Sequence, residues 1–196
     1  MKKLLLFFNL LLLPATFVLA QPLTTGPGGG NKKASVSEQI GLVSITLRYD
    51  RPGVKGREGK IWGTNVAHYG FQDLGFGTSK QAPWRAGANQ NTTIQFSHDV
   101  KVEGKDLPAG TYGLFMALGA DETTVIFSKN STSWGSYTYD PAEDALRVTV
   151  KNRTLEQPVE WLKYEFIDQT DNAATVALMW EKRMIPFRVE ADVHNV

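Results

Sequence analysis

Val43-Ser44-Ile45-Thr46-Leu47-Arg48-Tyr49 alternates apolar and polar side chains with a period of two. Successive side chains of a strand point to opposite faces, so this register describes a strand with one buried and one wet face. The period recurs downstream. Ile94 and Phe96 carry it, then Val100 and Val102 beyond His98, then Tyr112, Leu114, Met116 and Leu118, then Val125 to Phe127. Further runs are Leu146, Val148 and Val150; Leu162, Tyr164 and Phe166; Val176, Leu178 and Trp180; and Ile185, Phe187 and Val189. Turn-forming residues separate them, as in Glu103-Gly104-Lys105-Asp106, Pro108-Ala109-Gly110, Asp140-Pro141 and 168–172. No ten-residue stretch has helical period, although Ala142 to Leu146 could form one turn. About eight short strands joined by turns predict an all-β fold, an antiparallel β-sandwich or jelly-roll-like single domain.

Upstream of this pattern the chain changes character. Lys2 and Lys3 precede an almost continuous apolar run from Leu4 to Val18, and small Ala20 follows. That is the pattern of a secretory signal peptide over 1–20, cleaved after Ala20. A membrane anchor is the alternative, but Asn9 and Pro14 interrupt a run already short for a spanning helix of about 20 residues. Residues 21–33, QPLTTGPGGGNKK, have nothing to bury and are expected to form a flexible Gly/Pro-rich leader. The sandwich domain is then expected over 34–196. Removing 20 of 196 residues leaves enough chain for one core. No later stretch is apolar enough to span a bilayer, so no membrane insertion is expected after cleavage.

There is no cysteine, which excludes a disulfide framework and a thiolate metal site. Signal cleavage would take two lysines from the 21 basic residues and leave all 20 acidic ones. A charge so near zero gives no reason to expect nucleic acid as a partner.

Four ordered segments resemble a bacterial family, the domain of unknown function 2911. They are Tyr49 to Arg57 (YDRPGVKGR), Trp84 to Asn89 (WRAGAN), Leu107 to Tyr112 (LPAGTY) and Trp134 to Tyr137 (WGSY), and Asp144-Ala145-Leu146-Arg147 is similar to a fifth. The likeness runs from about Ala34 to Val189. It implies an exported, β-rich protein of Bacteroidetes-type bacteria and carries over no activity. Two positions depart from the family pattern: Asp50 stands where Ser is common, and Gln90 where Glu is common. Residues 71–83, between Tyr69-Gly70 and Trp84, are longer than in compact members and should form a mobile surface loop.

Two loops carry candidate ligand-binding residues. Arg51, Lys55 and Arg57 lie among Pro52, Gly53 and Gly56, so a short turn would splay three cations. Arginine suits a carboxylate clamp through its planar fork. The competing reading has them cap carbonyls and pair with Asp50 or Glu58. In the second loop Trp84, Arg85, Asn89, Gln90 and Asn91 combine an aromatic face, a cation and three amides around Gly87. That set suits a sugar, a peptide or a small anion. The alternative is a self-bonded loop with Trp84 plugging the core.

Other chemistry finds little support. His68, His98 and His194 lack metal-ligand spacing, and Asp99 should face away from its neighbour His98 unless the pair sits in a turn. No GxSxG elbow or phosphate-binding Gly loop occurs. Asp140, Glu143 and Asp144 could imitate a glycosidase pair, yet Asp140-Pro141 reads first as a turn opener. Trp180 is in phase with core residues, and Trp161 is out of phase. Three Asn-X-Ser/Thr sequons are read as coincidence in a bacterial export context. No catalytic residue, metal or cofactor is assigned. The expected function is an exported, non-catalytic binding or accessory module of the bacterial envelope, periplasmic or extracellular. A periplasmic hydrolase acting on glycan and a structural or protein-interaction domain are the alternatives.

Overall fold

The structure is a computed structural model, and it describes residues 30–191. The expected signal peptide over 1–20, most of the leader, and His194 lie outside the described residues.

Ten strands follow in chain order: β1 (Lys32–Ile40), β2 (Val43–Arg51), β3 (Thr93–Phe96), β4 (Val100–Val102), β5 (Lys105–Leu107), β6 (Gly110–Leu118), β7 (Glu122–Ser128), β8 (Asp144–Lys151), β9 (Arg153–Ile167) and β10 (Ala173–Ala191). They form a six-stranded sheet, β1-β2-β3-β6-β7-β8, and a four-stranded sheet, β5-β4-β10-β9, antiparallel throughout. The inward faces meet in one core. Ile45, Leu47, Ile94, Phe96, Leu114 and Phe127 come from the first sheet, and Leu162, Val176, Leu178, Phe187 and Val189 from the second. Phe127 meets Phe187 edge-on across the layers at 5.7 Å. The chain is an antiparallel β-sandwich, as the period-two runs predict.

Three features depart from the simplest reading. β1 begins at Lys32, and its mostly polar sequence KKASVSEQI pairs residue for residue with β2. The last two apolar runs belong to one 19-residue strand, β10, which is interrupted by register shifts at Glu181. Glu181 has φ +53°, a left-handed backbone that kinks the strand where the run changes phase. β9 carries Pro158, tolerated because β9 is the outer strand of its sheet. The expected turn near Ala142 is a single 3-10 turn, Pro141–Glu143, capped by the Asp140 side chain accepting from Ala142 N.

Residues 52–92 make a long excursion between β2 and β3. β3 has four residues and β6 has nine, so β6 extends beyond its partner with unpaired backbone groups. The excursion satisfies them: Leu114 N donates to Thr92 O, Trp84 and Met116 exchange both N–H···O bonds at 2.9 Å, and Gly70 N donates to Leu118 O. That need holds the candidate loops against the sheet.

Candidate functional site: an arginine-lined cleft

The cleft is built where this excursion meets the loop after β7, and its volume is about 640 Å³. Arg57, His68, Arg85, Asn89 and Tyr137 line it, with Trp84 and Trp180 among its apolar lining.

Local backbone chemistry places both arginines. After β2 the chain turns through Lys55 (φ +51°) and Gly56 (φ +72°), and Arg57 N donates back to Val54 O. The Arg57 guanidinium then donates to Val54 O through Nε at 3.0 Å and to Gly53 O through Nη2 at 2.7 Å. Farther on, Ala86 and Asn89 both adopt positive φ. Between them Gly87 lies so close to Thr92 that an added Cβ would come within 2.6 Å of its Oγ1. This double turn brings Arg85 Nη1 to Asn89 O at 3.0 Å. The Arg85 Cζ lies 4.7 Å from the Tyr137 ring centre, and a Cβ on Gly135 would fall 2.3 Å from that same carbon. Gly135 is thus the seat of the guanidinium.

No ion pair among the described residues involves Arg57 or Arg85. Asp73 is the one acid in the cleft lining, and Lys80 pairs with it at 3.2 Å. The Gly75 N–H and then Lys80 hold the Asp73 carboxyl below its usual pKa. His68 is only 7% exposed, and its Nδ1 has no hydrogen-bond partner. Burial pushes its pKa down against a backbone hydrogen bond at Tyr69, and the positive charge of Arg85 pushes the same way. The cleft is therefore electropositive with a neutral imidazole in its wall. It can hold an anion, but it lacks the pair of carboxylates that glycoside hydrolysis uses.

The structure brings together Arg57, Trp84, Arg85 and Asn89 of the sequence-predicted set. Asn89 also ties the cleft to β2, its Nδ2 donating to Asp50 Oδ2 at 2.9 Å, while Lys33 faces the other Asp50 oxygen at 3.4 Å. Trp84 is 4% exposed and stacks on Trp180, with centroids 6.2 Å apart and planes 7° from parallel. It plugs the core and offers no open platform. Arg51 follows the carbonyl-capping reading, its Nε donating to Leu162 O at 2.7 Å, and Arg57 follows it in part through its bonds to Val54 O and Gly53 O. Lys55 lies 5.7 Å over the Trp161 ring, which Lys32 also covers at 4.8 Å. Gln90 and Asn91 line a neighbouring groove over β1 and β2. There Gln90 Oε1 accepts from Lys33 Nζ, and Asn91 bonds Asn130 O and the Ser133 hydroxyl.

Sequence reasoning missed His68 and Tyr137 as cleft residues. Tyr137 had a signal, since it ends the WGSY segment that repeats a family pattern. His68 had none beyond its residue type. The His98-Asp99 pair does sit in the turn between β3 and β4, but Asp99 accepts from Ala109 N and His98 Nδ1 pairs with Ser97 Oγ. Asp144 is bound to Tyr139 OH and Arg147 Nε, which Arg147 completes by donating to Tyr139 OH. Among the described residues no three His, Cys, Asp or Glu side chains gather as a metal site requires. No helix among them is long and apolar enough to cross a membrane.

Fold and cleft together define a β-sandwich with a loop-built, positively charged recess at the edge of its larger sheet. The chain belongs to the family described as protein of unknown function (DUF2911), whose sequence profile matches residues 31–189. No curated protein and no solved structure matches it.

Proposed function

We propose that this chain is an exported, non-catalytic binding or accessory module of the bacterial envelope, and that the arginine-lined cleft takes a carbohydrate or small anionic ligand. The observation that carries the reading is the pair Arg57 and Arg85, which line one cleft with no carboxylate partner on either among the described residues. Arginines without a carboxylate partner beside a recess favour a ligand that brings the negative charge. Export rests on the Lys2 to Ala20 pattern and is checked by an intact mass beginning at Gln21.

A hydrolase reading is weaker on the same geometry. Asp73 is exposed, paired and held in its charged form, so it is a poor proton donor at neutral pH. The test is calorimetric titration of the mature protein with citrate and with a panel of acidic and neutral oligosaccharides. Arg85→Ala should weaken binding of an anionic ligand by roughly 1.5–3 kcal/mol, the cost of a charged hydrogen bond. Equal affinity of wild type and both Arg57→Ala and Arg85→Ala would refute the cleft as the site. Turnover of any panel glycan that is lost in Asp73→Asn would replace binding with catalysis.

A further inference from the structure

We infer that the ligand class of this cleft is a uronic-acid oligosaccharide, a sugar chain carrying a carboxylate on its ring. The inference rests on the anion-binding reading above and adds what the rest of the cleft recognises. A carboxylate alone needs only the guanidinium edge. Arg85 spends Nη1 on Asn89 O and Arg57 spends Nε and Nη2 on its own turn, which leaves Nε and Nη2 of Arg85 and Nη1 of Arg57 for a ligand.

Around those edges stand groups suited to hydroxyls. The side-chain amides of Asn65 and Gln72 line the cleft and make no hydrogen bond within the described residues. Each amide both donates and accepts, as vicinal sugar hydroxyls require. At the cleft mouth Phe76 is 57% exposed, although its ring packs edge-on against Tyr137 with centroids 4.4 Å apart. An exposed apolar ring held in place beside amides offers a stacking surface for the C–H face of a sugar. The loop bearing it is anchored: Thr78 N and Ser79 N both donate to Tyr137 O at 2.9 Å, and Gly77 packs so closely that a Cβ would lie 2.3 Å from that oxygen. Phe76 is thus positioned before any ligand arrives, which lowers the entropic cost of binding.

A peptide is less well matched. Extended peptides are recognised through free backbone groups at a strand edge. Here the nearby backbone is already paired, Gln72 with Ala82, Thr78 and Ser79 with Tyr137, and Ala88 with Asp50. A volume of about 640 Å³ exceeds what a lone small anion fills and falls in the range of sites for ligands of a few rings.

The experiment titrates the mature protein by calorimetry, with tryptophan fluorescence as a second readout because Trp84 and Trp180 lie under the cleft. The probes are trigalacturonate, an alginate-derived trimannuronate, a hyaluronan tetrasaccharide, fully methyl-esterified trigalacturonate, and citrate. At least one uronate should bind about tenfold tighter than citrate and than the neutral ester, the size of one charged contact. Phe76→Ala should weaken that uronate by about tenfold and leave citrate within about twofold, since only the sugar ring stacks. Arg85→Ala should weaken both. Citrate binding that depends on Arg85, with no uronate tighter or with Phe76→Ala affecting both alike, overturns the sugar assignment and leaves the anion site standing. A uronate bound no tighter than its ester also overturns it. No Arg85-dependent binding of any anion overturns both.

Discussion

The Arg85 guanidinium lies between the Tyr137 ring, 4.7 Å from its Cζ, and the backbone of Gly135, where an added Cβ would come to 2.3 Å. Two residues of the loop after β7 therefore set the position of a cation carried by the excursion between β2 and β3. Cation–π contact and close backbone approach both favour one placement of the charge.

Gly135→Ala should displace Arg85 and empty the cleft of its better-placed cation. Gly135 has φ +61°, so alanine there also costs about 1–2 kcal/mol of backbone strain. The obstructed atoms belong to a long side chain that can swing away, so folding should survive. Thermal unfolding should show a modest loss and anion titration a large one. Unchanged anion affinity in a folded Gly135→Ala protein would separate Arg85 from binding.

Trp84→Ala should cost about 3–5 kcal/mol, the range for deleting a buried aromatic ring. Trp84 stacks on Trp180 and meets Trp62 edge-on at 5.8 Å, so its loss opens a cavity in a shared cluster. Chemical denaturation measures it. A loss below about 1 kcal/mol would mean the ring is not a core element.

His68 should make the protein less stable in mild acid. Its folded pKa is pushed below the ordinary 6.5, first by burial and also by Arg85, so the unfolded chain binds the proton more tightly. Stability is full above 6.5 and falls as the pH drops from there towards the folded pKa. Arg57 and Arg85 line the cleft with it and Asp73 is already paired, so no free anion among the described lining residues offsets the new charge. Melting temperatures from pH 8 to 5 should fall more steeply for wild type than for His68→Gln. Parallel curves would discount burial at this residue.

Glu181 should act in a lower window. Burial alone would raise its pKa, but hydrogen bonds from the backbone N–H of Lys182 and Gly59 and from the Trp62 indole outweigh burial and leave it lowered from 4.5. The carboxylate's contribution is then present above 4.5 and lost as the pH falls through the lower folded pKa. Glu181→Gln should cost about 1–2 kcal/mol at pH 7 through weaker hydrogen bonds. That difference should shrink on acidification below 4.5. A gap that is constant with pH would assign the loss to packing.

The alternation from Val43 to Tyr49 and its repeats determined the sandwich, because period two leaves no other way to bury one face of so many short segments. It also located the two loops that supply Arg57 and Arg85, since Gly and Pro announce turns whatever surrounds them. Other features were out of its reach. β1 has only Ala34, Val36 and Ile40 as apolar residues, too sparse a pattern to read as a strand alone, and it becomes one by pairing along the edge of β2. Trp180 and Phe187 read as two strands, and the kink that joins them depends on Glu181 bonding to a loop 122 residues away. The division of the cations belongs to tertiary structure too. Arg51 and Lys55 stand within a few residues of Arg57, yet backbone carbonyls of β9 hold the first and Trp161 the second. Arg57 spends Nε and Nη2 on the Val54 and Gly53 carbonyls, yet it lines the cleft together with Arg85. Spacing along the chain says which side chains are neighbours in sequence; partners already in place decide which of them remain available to a ligand.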